Sequence, residues 1–348
     1  MLTLPRPTAL LGSLILLAFQ PAADEVEFRP ADGTEASKTF QVSGNFELGD
    51  FTMLVNNQDM SQMIPFDQMA GEFDARFSVV DQYVKTVDGK PLEFVRRFVE
   101  SSTEWEVGEE SGSEEGWMEM DGETVVFKWN PETKSYDRSY KDGEGDAEQL
   151  EKLRMNPELL DYRTLLPQKS VSKGDRWSVD PKGMGSALMF GLDFADLPSM
   201  ADEIDDPEAL AMLEQLKPSW EKMLEGFKTD CEYDGTRDEG DARLGVIKVK
   251  LSADASLDMV QMIEEMARKQ IPPEVQVDMN FNTAAFSMKL TAEGELLWDL
   301  KRGLPHSFSL DGDMEVAFEL DASVSAEGQE QAIEMNMEIM GKMSWLME

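Results

Sequence analysis

Val275-Gln276-Val277-Asp278-Met279-Asn280-Phe281 places an apolar side chain at every second position with polar ones between, and after Ala284-Ala285 the alternation resumes as Phe286, Met288 and Leu290. A period of two puts all the apolar side chains on one face of an extended chain, as a half-buried strand requires. The phase slip at Ala284-Ala285 predicts a bulge there. Working towards the C-terminus, the same pattern returns at Leu296, Trp298 and Leu300, then at Phe308 and Leu310, before an Asp311-Gly312 pair that reads as a turn. It continues through Met314, Val316, Phe318 and Leu320, and closes at Ile333, Met335, Met337 and Ile339. These are long antiparallel strands with one apolar face.

The N-terminal part repeats the behaviour. Phe40, Val42, Gly44 and Phe46 alternate with Gln41, Ser43, Asn45 and Glu47, and 73–87 leads through the hairpin dipeptide Asp88-Gly89 into 92–105. The run 109–115, rich in Glu, Ser and Gly, reads as a mobile loop. A further hairpin is expected at 117–129 around Asp121-Gly122.

The centre differs. Asp146 with Gln149 three residues on forms a capping box for a short helix that Asn156-Pro157 ends. Asp206-Pro207 opens an amphipathic stripe of Leu210, Leu213, Trp220, Met223, Leu224 and Phe227, which Pro218 interrupts. A third helix is expected over 256–270, stopped by Pro272-Pro273.

The predicted fold is mainly β (α+β): a large curved antiparallel sheet or open β-barrel with a few amphipathic helices covering the concave face. The pattern also fits two smaller sheets, each packed on a helix. The expected organisation is a signal peptide over 1–23, a flexible lead-in over 24–37 and a single β-rich domain over 38–348. Within it, 38–141 and 227–348 are strand-rich and 142–226 is mixed.

The signal-peptide reading rests on Arg6 followed by an apolar run from Ala9 to Phe19, too short to span a bilayer, and on the small residues Ala22-Ala23, after which cleavage is expected. It predicts an extracytoplasmic protein, periplasmic or secreted. Cys231 is the sole cysteine, so no intrachain disulfide can form.

The chain has 348 residues, 32 basic against 70 acidic, and a formal net charge of −38. Such a charge repels nucleic acid and anionic membrane surfaces and excludes both as partners. Catalytic signatures are missing as well. The single histidine, His306, reads as a strand-end surface residue, and the acids beside Cys231 would raise rather than lower its thiol pKa. No G-x-S-x-G elbow, P-loop, H-E-x-x-H or G-x-G-x-x-G occurs, and one histidine with one cysteine cannot supply a usual zinc ligand set. Asp238, Glu239 and Asp241 around Gly240, like Asp202, Glu203, Asp205 and Asp206, do not match a calcium loop and read as solvated acidic surface. The expectation is a non-enzymatic protein with no cofactor and no metal.

Leu166-Pro167-Gln168-Lys169-Ser170-Val171-Ser172-Lys173-Gly174-Asp175-Arg176-Trp177 resembles a segment of uncharacterised exported bacterial β-proteins, in which Gly174-Asp175 would make a turn and Trp177 would anchor the next strand. Gly294-Glu295-Leu296-Leu297-Trp298-Asp299, running on to Gly303, is similar to their closing meander. The resemblance implies no activity. The overall pattern is similar to the open β-barrel of periplasmic lipoprotein carriers and related lipid binders, which implies a lipid or lipoprotein acyl chain as ligand.

The chain contains 24 methionines, many on apolar faces or in helix stripes. Flexible, polarizable thioethers suit an adaptable apolar groove, and they suit ordinary core filling equally. The expected function is binding of a hydrophobic ligand in an apolar concavity lined by Trp220, Met223, Phe227, Met262, Met266, Phe286 and Met288. The alternative is a structural or protein-interaction module of the cell envelope.

Overall fold

The computed structural model describes residues 23–63, 70–116, 120–143, 145–152, 159–188, 225–270, 277–326 and 329–348. Thirteen strands form one antiparallel sheet. In chain order they are β1 (Thr34–Val55), β2 (Gln58–Asp59), β3 (Gly71–Val87), β4 (Lys90–Val107), β5 (Glu110–Glu115), β6 (Thr124–Asn130), β7 (Ser135–Tyr140), β8 (Arg176–Val179), β9 (Phe227–Glu239), β10 (Ala242–Asp258), β11 (Val277–Asp299), β12 (Leu304–Ala326) and β13 (Gln329–Met347). The spatial order is β7-β6-β4-β3-β1-β13-β12-β11-β10-β9-β8, with β2 beside β1 and β5 beside β4. Two meanders are thus joined where the first long strand pairs with the last, Phe40 opposite Met347 and Val55 opposite Ile333. The path ends at β7 and β8, so the sheet does not close.

Local chemistry explains the hairpins. Asp88 and Gly89 both have positive φ, 48° and 72°, the conformation of a two-residue primed turn whose twist matches its strands. Asn56 and Asn57, at 52° and 61°, do the same between β1 and β2.

Small residues let the sheet curl. A Cβ added to Gly294 would lie 1.9 Å from the Ser309 carbonyl oxygen, an approach between β11 and β12 that only glycine permits. Aromatic rings cover other glycines across strands: Phe73 lies over Gly44, Phe46 over Gly71 and Trp105 over Gly112.

The concavity is filled at one end. Phe40, Phe77, Phe98, Phe127, Tyr233, Ile247, Leu296, Phe308, Trp298 and Trp345 converge there from both meanders. A segment crossing the concave side seals them: Leu160, Tyr162 and Leu165 are buried, and the Tyr162 ring stacks on Phe308 at 4.4 Å and faces Phe40 at 6.3 Å. Helix α1 (Ala147–Lys152) follows Asp146 as expected, and α2 (Pro181–Leu188) adds Met184 and Leu188 to the core.

Several expectations need correction. Residues 24–37 are not a flexible lead-in. Val26 and Phe28 are buried, Phe28 packs edge-on against Tyr83, Asp24 bridges to Val171, and β1 already begins at Thr34. The acidic run 110–115 is strand β5, registered against Ser102–Val107, because Gly112 makes room for the Trp105 ring. Asp311-Gly312 is no turn. Gly312 lies inside β12 opposite Ala292, where its missing side chain is what the close contact needs, and the real reversal comes at Gly303, φ 66°, after Asp299 Oδ1 accepts the Lys301 and Arg302 amides.

The bulge falls at Asn282 rather than at Ala284-Ala285, and the Asn282 side chain bonds Asn280 and Asp321. The third helix starts four residues late, as α3 (Val260–Gln270), because Ala253, Ala255 and Leu257 extend β10 opposite Leu290, Met288 and Phe286. Phe227 does not end a helix stripe: it opens β9, where Phe227, Thr229, Cys231 and Tyr233 point one way. The expected helix before it, with Trp220 and Met223, and the signal segment lie outside the described residues.

Candidate functional site: an apolar sheet face beyond the core

The long strands β1, β13, β12, β11 and β10 run past the sealed core, and their register assigns every side chain to a face. Phe46, Gly341, Met314, Leu290, Ala253 and Phe227 form one transverse row on the face that carries the core. The next row is Leu48, Ile339, Val316, Met288 and Ala255, and the one after is Phe51, Met337, Phe318, Phe286 and Leu257. A further row adds Met53, Met335, Leu320 and Ala284. Most of these side chains are half-buried rather than buried.

At about 4.8 Å between strands and about 6.8 Å between rows, the last three rows span on the order of 20 Å each way. A footprint of that size is comparable to the largest apolar patch of an ordinary monomer, about 300–600 Å², which is often functional. The reverse face of the same strands carries Asp313, Glu315, Glu319, Asp321, Glu334, Glu338, Lys289 and Lys342. Among the described residues, one face of these strands is therefore mainly apolar and the other mainly charged, with Met340 an exposed apolar exception on the charged side.

Of the residues proposed from sequence, Phe227, Met288 and Phe286 fall on three successive rows of this face. Met262 and Met266 belong to α3, which packs on β11, and the Met259 amide donates to the Ala284 carbonyl at 2.7 Å. The sequence reading did not include Phe51, Phe318, Met337 and Ile339 among the lining residues. Alternation gave their parity, but the β12–β13 register sets Phe318 beside Met337, and only the pairing of β1 with β13, close to 300 residues apart in the chain, brings in Phe51.

Two indentations of about 970 and 1050 Å³ cross the middle of the sheet. Glu72, Glu106, Asp313 and Lys342 take part in the walls of both, and the first also takes in Phe46, Leu290, Met314 and Gly341 of the first apolar row.

The buried polar groups are structural. Lys38 donates to Asp81 (2.8 Å), to the Tyr83 hydroxyl (3.0 Å) and to Asp161 (2.5 Å), while Arg96 grips both oxygens of Asp81 at 2.6 and 2.7 Å. Tyr83 also donates to Asp161 at 2.6 Å. Lys38 and Arg96 face Asp81 and Asp161 with their head groups enclosed, and the partly exposed Arg163 stands 3.9 Å from Asp161, so the cluster ties the crossing segment to β1, β3 and β4.

Cys231 lies in the core, where burial, with the Asp230 carboxylate added, pushes its thiol up to about 12. Iodoacetamide at pH 8 is therefore expected to leave the native protein unlabelled and to alkylate one thiol per chain in denaturant, read by intact mass. His306 sits 3.8 Å from Glu239 on the surface. Among the described residues no group of three His, Cys, Asp or Glu side chains is placed to hold a metal.

The segment around Gly174 forms the expected turn. Gly174 has φ 91°, the Ser172 amide donates to Asp175 Oδ2, and the Trp177 indole donates to the Leu165 carbonyl.

No family model and no curated protein matches the chain. Among solved structures it is similar to a mutant of Rh. blastica porin, at 8% identity, covering 89% of this chain and 100% of that one with a TM-score of 0.14. It is also similar to Pseudomonas aeruginosa OccK7 (OpdD), at 6% identity, covering 88% and 98% with a TM-score of 0.14. At such TM-scores these likenesses carry no argument.

Proposed function

We propose that this is an exported, non-enzymatic protein that holds a lipid or a lipoprotein acyl chain against the apolar face of its sheet. The observation that supports the reading is the division of the strand faces: rows such as Phe51, Met337, Phe318 and Phe286 on one face, mainly charged side chains on the other. A transmembrane barrel needs the opposite arrangement, with apolar residues outward and polar ones within. An acyl chain laid across three or more rows replaces water on thioether and aromatic surfaces, at roughly 25 cal/mol for each Å² covered. The methionines among them adapt to chains of differing length and unsaturation. The acidic reverse face keeps the carrier soluble and repels anionic surfaces. The signal-like segment at 1–23 supports a site of action outside the cytoplasm.

The test is uptake of a fluorescent fatty acid by the purified, delipidated protein. Saturable binding at one or a few chains per molecule, displaced by an unlabelled lipid, is the expected result. Absence of uptake would remove the carrier reading and leave an envelope interaction module.

A further inference from the structure

The turn at Asn56-Asn57 folds the chain back so that β2 lies on the free side of β1. Register Leu54–Asp59 and Val55–Gln58 continues one step, with the Met60 amide donating to the Met53 carbonyl at 2.8 Å, so Met60 stands opposite Met53. On its other side Met53 is opposite Met335. Three methionines thus occupy one transverse row over three chain segments. Residues opposite each other in antiparallel pairs point to the same face, with Cβ atoms about 4.5–5.5 Å apart. Met337 follows two residues from Met335 on that face, opposite Phe51.

We propose that Met60, Met53 and Met335 form a thioether site for a soft monovalent cation, Cu(I) or Ag(I), with Met337 as a neighbouring fourth sulfur. Thioethers are neutral, soft ligands that select Cu(I) over hard divalent ions. Each methionine has three rotatable bonds, enough for the outer two sulfurs to swing onto an ion held by the middle one. All three are half-buried, so the row is in reach of solvent.

The backbone beneath is fixed in advance. The Asn56 amide donates to the Ala332 carbonyl at 2.8 Å, the Ala332 amide returns a bond to Asn56 Oδ1 at 2.9 Å, and Ser61 Oγ accepts the Met53 amide at 2.9 Å. A rigid frame carrying adaptable donors loses little order when the ion binds. The row lies at the end of β1, and although Met53 and Met335 also belong to the apolar face, the site needs only their sulfurs and the metal titration reads it without lipid.

The test is anaerobic titration of the full chain with Cu(I) against a chromophoric chelator, paralleled by Ag(I) calorimetry. The wild type is expected to take one tight ion per chain with a sulfur-only shell by X-ray absorption. The variant Met53→Leu/Met60→Leu/Met335→Leu keeps apolar volume and removes the donors. It should bind at least 100-fold more weakly, with circular dichroism unchanged. Met60→Leu alone, in the loop after β2, should weaken binding at least tenfold and serves if the triple variant does not fold. No stoichiometric ion in the wild type, or equal affinity in the leucine variants, would overturn the proposal.

Discussion

Replacing Asp81 by alanine is expected to destabilise the fold by about 3–5 kcal/mol, the cost of stranding a buried cation without its partner. Asp81 lies between Arg96, at 2.6 and 2.7 Å, and Lys38, at 2.8 Å, and all three are within a few per cent of complete burial. Removing the carboxylate leaves Lys38 and Arg96 to share Asp161 with Arg163, which stands 3.9 Å from it. Urea unfolding followed by fluorescence of the buried Trp298 and Trp345 should show the lower midpoint at pH 7. The further variant Asp81→Ala/Lys38→Met/Arg96→Met should recover much of the loss, because apolar groups of similar volume commonly match a buried ion network. Equal stability of Asp81→Ala and wild type would show that the cluster is hydrated or open.

The same carboxylate sets an acid limit. Burial pushes Asp81 up, but the Arg96 guanidinium and the Lys38 ammonium outweigh it and hold the group at about 2. Its folded value lies below the unfolded one, so its contribution is full above the usual carboxylate range, near pH 4, and is lost as pH falls through about 2. Acid titration of the wild type should therefore show loss of tertiary signal extending into that window. In Asp81→Asn that part of the pH dependence should vanish.

The second large effect concerns the apolar face. Phe318 and Met337 are directly opposite each other, half-buried, and remote from the sealed end. Phe318→Glu/Met337→Glu places two adjacent carboxylates in the middle of the proposed acyl site, where burying either beneath a hydrocarbon chain is strongly unfavourable. Fatty-acid affinity should fall at least 100-fold. Thermal stability should change by about 1 kcal/mol or less, as for substitutions outside a packed core. A control on the opposite face, Glu319→Gln, should leave both unchanged. Undiminished uptake by the double variant would place the ligand elsewhere.

The strands were legible because one-sided burial writes period two into the chain: Val277, Met279 and Phe281 alone define a face. Glycines misled where they serve strand crowding. Gly312 and Gly112 resemble turn residues, yet each makes room for a neighbour across the ladder, Ala292 and the Trp105 ring. The ion cluster left a trace that alternation contains: Lys38 is in phase with Phe40 and Val42, and Arg96 with Phe94 and Phe98. What periodicity cannot express is which strands meet. The pairing of Met53 with Met335, and of Phe51 with Met337, depends on chain closure between β1 and β13. Alternation placed Phe286 and Met288 on one apolar face, whereas their neighbours in the same rows needed the register.

Native mass spectrometry of the protein, purified without detergent, tests the carrier reading most directly. The account predicts bound lipid at stoichiometric occupancy, released and identified under denaturing conditions and missing from Phe318→Glu/Met337→Glu. A clean ligand-free mass, with no fatty-acid uptake afterwards, would contradict it.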